Sequence, residues 1–185
     1  MRGAGSSYAI STALHVHTFA APESGIIARD TWYLSSTQAA KALSSFQTFV
    51  HTTESLPQYY GGEFFISSGP SSELLSVSLS SGFWGPPKEY DATLAPWNES
   101  MPFPPNSSTK ARGNYIDNLA ARAGDTGPLD TTLKPDAADT FYVKSLIVPE
   151  VSGTQVGLSE DAWKALFDYL VSEGSNAPVV SLHFS

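Results

Sequence analysis

The sequence contains no cysteine among its 185 residues, which excludes disulfides, thiolate metal sites and cysteine nucleophiles. Basic residues are also scarce, with ten Lys and Arg against eighteen Asp and Glu, and they form no run. A phosphate backbone or an anionic membrane requires a basic patch, so we predict neither a nucleic-acid nor a membrane partner. No stretch approaches the roughly 20 apolar residues of a membrane helix.

The amino terminus also lacks an apolar stretch, because Met1-Arg2 is followed by Gly-Ala-Gly-Ser-Ser. We therefore expect no secretory signal peptide in this segment. What the chain does contain is 41% hydrophobic and 12% aromatic residues. This composition is typical of a globular domain that can bury a core.

Alternating apolar and polar side chains predict a strand with one buried face over residues 8–19. Pro22 and Gly25 predict a turn, and the apolar residues of 26–33 predict a second strand. These two strands would be the first two elements of the fold.

Two segments have the periodicity of helices. Ser35 and Gln38 have the spacing of a capping box, and apolar residues then recur at helical intervals as far as Val50. Ser159 precedes a second helix with acidic residues in its first turn, and Gly174 is placed to end it.

Four further strands are predicted. Residues 63–67 and 75–83 form a hairpin through the turn residues 69–72, while 141–148 and 179–184 are short apolar segments. Residues 84–135 are dense in proline and predict a long loop, with one short helix at about 115–122. The whole chain therefore predicts a single α+β domain, a mostly antiparallel sheet with helices packed on one face.

Four segments carry a family resemblance, namely RGAGSSYAIST (2–12), GGEFFISSGP (61–70), TFYVKSLIVPE (140–150) and LSEDAWKALFDYL (158–170). They resemble the substrate-binding domain of flavin-linked (FAD) oxidases of the fungal oligosaccharide-oxidase and berberine-bridge type. Members of this family pass a hydride from a hydroxyl carbon, or from an alkaloid-like substrate, to FAD, which oxygen re-oxidises.

The resemblance implies a partial domain over residues 1–185 that lacks both the flavin-binding domain and the family's general base. We therefore predict no catalytic residue here, FAD held by the missing domain, and no activity of the chain alone. The resemblance further implies that Glu63 contacts a sugar substrate and that Gly5, Ser6 and Tyr8 lie at the flavin boundary. Full-length relatives would be extracellular. The sequence departs from the family pattern after Pro178.

Other candidate residues are histidines, tryptophans and an acid whose positions in the predicted elements suggest a role. His15 and His17 share one face of the predicted strand. They are either surface or structural residues or part of a wall of the substrate cleft. No metal site is predicted, because such a site needs three or four ligands. Trp84 and Trp97 lie on either side of the first prolines of the 84–135 segment, and either indole could stack on a sugar ring. Glu63 either faces water at a sheet edge or contacts substrate.

Two Asn-x-Ser sequons, at Asn98 and Asn106, are candidate glycosylation sites. An alternative function is a non-catalytic module that binds carbohydrate or a partner through Trp84 and Trp97. A third possibility is a degraded or incompletely read gene. A substrate domain without its flavin domain would also expose an apolar face, which predicts self-association.

Overall fold

The computed structural model describes residues 15–18, 20–52, 56–123, 157–174 and 178–184. Residues 15–18 were predicted to end a half-buried strand, and this prediction is wrong: they are exposed and have no regular secondary structure. Val16, expected on the buried face, is 75% exposed. The rest of that strand prediction, and the strand predicted at 141–148, lie outside the described residues.

Among the described residues, five antiparallel strands form one sheet in the order β4-β1-β3-β2-β5. The strands are β1 Gly25–Leu34, β2 Tyr60–Ser68, β3 Leu75–Phe83, β4 Ser107–Gly113 and β5 Val180–Phe184. The predicted hairpin is confirmed as β2 and β3, and the short carboxyl-terminal strand is confirmed as β5.

In the part of the chain that the structure describes, four α-helices accompany the sheet: α1 Ser36–Thr52, α2 Tyr90–Ser100, α3 Tyr115–Ala123 and α4 Glu160–Glu173. The α+β class and the antiparallel sheet are therefore confirmed. Within the described residues, no helix has both the length and the apolar character that a membrane span requires.

The core lies between one face of the sheet and the helices α1, α2 and α4. The sheet contributes alternate residues of its strands, such as Trp32, Phe64 and Val77, because successive side chains of a strand point to opposite faces. Helix α1 contributes Phe46, whose ring lies 4.8 Å from that of Phe64 in a T-shaped arrangement. The three helices thus cover the apolar face that the alternation predicts.

The loop predicted for 84–135 is wrong at two places, since residues 90–100 form α2 and residues 107–113 form β4. Helix α2 contains Pro96, which cannot donate a backbone hydrogen bond. Burial of Tyr90, Leu94 and Trp97 on one face of α2 outweighs this cost. Strand β4 has no apolar alternation because it is an exposed edge strand. The short helix predicted at 115–122 is confirmed as α3.

The two predicted helix starts have the capping geometry that their sequences indicate. At α1, the Ser35 backbone N–H donates to Gln38 Oε1 (3.0 Å), and the Gln38 backbone N–H donates to Ser35 Oγ (3.3 Å). At α4, Ser159 Oγ accepts from the Ala162 backbone N–H (3.1 Å). Gly174 follows the last residue of α4 with φ of 56°, a conformation that favours glycine.

Two serine-to-alanine substitutions beside α1 and within it are expected to change stability in opposite directions. Ser35→Ala removes the capping box and should lower the free energy of unfolding by about 1 kcal/mol. Ser44→Ala should leave it unchanged or raise it by up to about 1 kcal/mol. The Ser44 hydroxyl is buried without a hydrogen-bond partner among the described residues, and alanine favours helix. Urea denaturation measures both, and equal losses would contradict the assignment.

Candidate functional site

The sheet face opposite the core carries a polar surface, which we call the open face. Its side chains come from the strand positions that alternate with the core positions. They include Arg29, Thr31, Tyr33, Glu63, Phe65, Ser67, Ser76, Ser78, Ser80 and Ser181. Hydroxyl groups predominate on this surface, and Thr31 Oγ1 lies 3.1 Å from Ser78 Oγ. Such a surface suits a ligand rich in hydroxyl groups.

Glu63 lies in a row of residues that crosses the sheet. The register pairs Arg29 of β1 with Ser80 of β3, Ser80 with Glu63 of β2, and Glu63 with His183 of β5. Directly paired residues share a face, so a cationic, a hydroxyl and a carboxylate side chain project from neighbouring strands that are about 4.8 Å apart. Ser80 is 4% exposed although it is polar. The row joins three hydrogen-bonding groups of different character.

The Glu63 carboxylate is half-buried and accepts a hydrogen bond from Ser181 Oγ of the neighbouring strand. Because the hydroxyl donates to a carboxylate oxygen, this bond orients the Glu63 side chain. Glu63 is on β2 between two neighbouring strands, which excludes the alternative that it lies at an edge of the sheet. Sequence reasoning found Glu63 but missed Arg29 and Ser80, whose place in the row depends on strand register.

Trp84 follows β3 and covers one end of the open face. A Cβ atom at Gly25 would lie 2.6 Å from Trp84 Cε3, and one at Gly82 would lie 3.4 Å from Trp84 Nε1. The two glycines therefore provide room for the indole to approach the strands closely. The Trp84 ring also lies 5.2 Å from the ring of Tyr115 at the start of α3. Helix α3 is thus on the open-face side, unlike the other three helices.

Trp97 does not lie at a ligand surface, in contrast to its interpretation as a counterpart of Trp84. It is 1% exposed, and its ring packs 5.2 Å from Phe46 and 5.9 Å from Trp32. Residues 90–100 form a helix whose buried face includes Trp97. The proline content of this segment predicts a loop instead, in which Trp97 would be exposed. The alternative function as a binding module thereby loses one of its two tryptophans.

The remaining predicted residues are separate from the Glu63 row or outside the described structure. His15 and His17 are exposed in the segment before β1, and their role as a cleft wall stays a prediction. Gly5, Ser6 and Tyr8 lie outside the described residues. Among the residues that the structure describes, no group of three or more His, Asp or Glu could hold a metal ion.

Both candidate glycosylation sites are exposed. Asn98 lies within α2, and the hydroxyl of Ser100, the third residue of its sequon, donates to Trp97 O (2.9 Å). Asn106 precedes β4, and its Oδ1 accepts from the Tyr33 backbone N–H (2.8 Å). Whether either carries a glycan stays a prediction.

Two buried tyrosines lie on the core side of the sheet. Burial is the main cause that raises the pKa of Tyr60 above its usual value, and burial likewise raises the pKa of Tyr90 to about 12. The charge of Asp30 adds to both shifts. These phenols are therefore neutral at physiological pH and act as structural groups.

The similarity to known proteins is structural. No protein-family model and no curated protein sequence matches the chain. A chitooligosaccharide oxidase matches 89% of the chain with a TM-score of 0.66 and 18% identity. A glucooligosaccharide oxidase from Acremonium strictum, with 6-S-cysteinyl, 8α-N1-histidyl FAD, matches 90% with a TM-score of 0.66 and 20% identity. A berberine-bridge-enzyme-like protein of Physcomitrella patens matches 83% with a TM-score of 0.57 and 13% identity.

The chain shares its fold with part of these oxidases. It spans about one third of their length, namely 32%, 32% and 31% of the three chains. The resemblance that the sequence segments indicated is confirmed at the level of fold.

The open face, as far as the structure describes it, does not by itself fit FAD. A dinucleotide diphosphate is usually bound by converging backbone N–H groups at a helix start or by several cations. Along the open face as described, Arg29 is the one cationic side chain, and it shares its row with the acidic Glu63. The open face therefore suits a wall beside a ligand better than an FAD-binding pocket.

Proposed function

We propose that this chain is the substrate-binding part of a flavin-linked oxidase that acts on sugar hydroxyl groups. The observation that carries the proposal is the Arg29–Ser80–Glu63 row on an open face rich in hydroxyl groups. The fold that the chain shares with gluco- and chitooligosaccharide oxidases supports it. In this proposal the chain is a partial domain, and FAD is held by a part of the protein that these residues do not form.

Glu63 would accept hydrogen bonds from sugar hydroxyl groups, and Arg29 would donate to hydroxyl or ring oxygens about two strand spacings away. Hydrogen bonds to a charged group are stronger than neutral ones, so Glu63 would contribute most to orientation. The bond from Ser181 holds the carboxylate in place before substrate arrives. The Trp84 indole would form the boundary of the site at the end where Gly25 and Gly82 lie.

The bound flavin would supply hydride acceptance, and this chain would hold and orient the sugar hydroxyl. The secreted location and the glycosylation of Asn98 and Asn106 belong to the same proposal, since both sequons are exposed. Self-association also stays a prediction. The described open face is mainly polar, but it includes Tyr33 and Phe65, which are 44% and 38% exposed.

Glu63→Gln is expected to weaken binding of a cello- or chitotetraose to the 185-residue chain by roughly tenfold, because a charged acceptor is lost. Binding can be followed from the indole N–H signal of Trp84 in ¹⁵N spectra and by titration calorimetry. Glu99→Gln is the matched control, because Glu99 is an exposed acid on α2 away from the open face.

Equal affinity of the Glu63→Gln variant and the unaltered chain would contradict the assigned role of Glu63. The same samples supplied with FAD and oligosaccharide are expected to release no peroxide above a blank. Robust peroxide release would refute the proposal that flavin binding resides elsewhere.

A further inference from the structure

A cavity with a mixed polar and apolar lining is on the core side of the sheet, away from the Glu63 row. It has a volume of about 470 Å³ and lies between the inner sides of β1 and β4, helix α2 and the loop that follows α2. Pockets of about 300–1,000 Å³ are typical of small-molecule sites. It forms where α2 covers β1 and leaves the edge strand β4 exposed.

Asp30 is the distinctive group of this cavity. Its register places it on the core side of β1, opposite Leu79 of β3 and Ser108 of β4. Asp30 is half-buried, and among the described residues its carboxylate makes no hydrogen bond. A carboxylate that is partly removed from water is stabilised by hydrogen-bond donors, which a ligand could provide.

The charges of the cavity restrict the class of ligand. Lys110 Nζ lies 2.7 Å from Asp91 Oδ1 and 4.7 Å above the ring of Tyr90, so one acid is already neutralised. An anionic ligand would be repelled by Asp30, because the cation at the cavity, Lys110, is paired with Asp91 instead. The charges therefore exclude an anionic ligand and favour one that donates hydrogen bonds.

The shape of the wall restricts the ligand further. Met101, Phe103 and Pro104 contribute apolar groups to the lining, while Asn98 and Asp30 contribute polar groups. The Trp32 indole N–H donates to Phe103 O (3.2 Å) and fixes this wall against the sheet. A lining that combines apolar and hydrogen-bonding groups suits a ring with a C–H face and hydroxyl groups at its rim.

We propose that this cavity binds a neutral, ring-shaped polyol such as a pyranose sugar, with Asp30 as the acceptor for its hydroxyl groups. The apolar wall packs against the C–H face of the ring, and Asn98 bonds at the mouth. The site is separate from the proposed oxidase surface, since it is on the other side of the sheet from Glu63.

The tryptophans make the proposal testable in the full 185-residue chain, produced in bacteria so that Asn98 is unmodified. With methyl β-glucopyranoside as the probe, the ¹⁵N indole signal of Trp32 should shift saturably in the millimolar range. The signal of Trp163, on α4, should stay constant. A shift at Trp84 would report binding on the open face instead, which separates this site from the oxidase proposal.

Asp30→Asn should weaken the response at Trp32 by about tenfold, because it replaces a charged acceptor at nearly constant size. Asn98→Ala, an exposed change that leaves the core intact, should weaken it several-fold. Glu99→Gln on the same helix should leave it unchanged. The proposal is overturned if Trp32 does not respond, if Asp30→Asn responds like the unaltered chain, or if ethanolamine shifts Trp32 and the sugar does not.

Discussion

The Trp97→Ala variant is expected to lose about 4 kcal/mol of unfolding free energy, because truncation of a buried Trp or Phe side chain costs roughly 3–5 kcal/mol. Trp97 is 1% exposed and lies within 5.2 to 6.5 Å of the rings of Trp32, Phe46, Phe49 and Phe64, measured between centroids. Removing the indole would leave a cavity where α1, α2 and the sheet meet. Urea denaturation followed by circular dichroism measures this loss.

Two companion variants distinguish a core role from a ligand role. Trp97→Phe should be much milder, since the buried indole N–H has no hydrogen-bond partner among the described residues. Trp84→Ala should cost only about 1 kcal/mol, because Trp84 is half-buried, yet it should disturb oligosaccharide binding. A Trp97→Ala protein of unchanged stability and reduced sugar binding would reverse the two assignments.

Stability is expected to decrease steeply between pH 10 and 12. The pKa of Tyr90 is raised from 10.0 to about 12 and that of Tyr60 is raised as well, mainly by burial. In this range the unfolded chain has released both phenolic protons while the folded chain retains them. The unfolded state then binds fewer protons, so the free energy of unfolding falls as pH rises. Each tyrosine contributes up to about 1.4 kcal/mol per pH unit.

Denaturation curves at intervals from pH 9 to pH 12 test this expectation. Tyr60→Phe and Tyr90→Phe should each make the decrease above pH 10 shallower, because each removes one retained proton. Tyr169→Phe is the control, since Tyr169 is 52% exposed on α4. If the two buried-site variants keep the slope of the unaltered chain, the alkaline loss has another origin.

Several features of the fold were predictable because their causes are local. The capping box at Ser35 and Gln38 depends on residues three positions apart, and the structure has both of its hydrogen bonds. The β2–β3 hairpin depends on alternation and a short turn, and the end of α4 depends on Gly174. Local geometry also explains why the α+β class could be read from the order of these elements.

Other features required contacts between distant parts of the chain. Helix α2 forms despite Pro96 because its buried face packs against α1 and the sheet. Proline content alone predicts a loop here, since it carries no information about these contacts. Strand β4 is stabilised by pairing with β1 along an exposed edge, which leaves no apolar pattern. Residues 15–18 show the opposite error, since alternation there was not matched by a partner strand.

For the candidate site, the sequence by itself determined the acidic character of the chain, the absence of cysteine chemistry and Glu63 as a candidate. Only the tertiary structure decided which residues accompany Glu63, because strand register brings Arg29 and Ser80 beside it from 34 and 17 positions away. The structure likewise turned Trp97 into the core and placed Asp30 in a cavity with Asn98. The sequence specifies the type of each side chain, whereas the distances between side chains and their burial arise only when the strands and helices pack together.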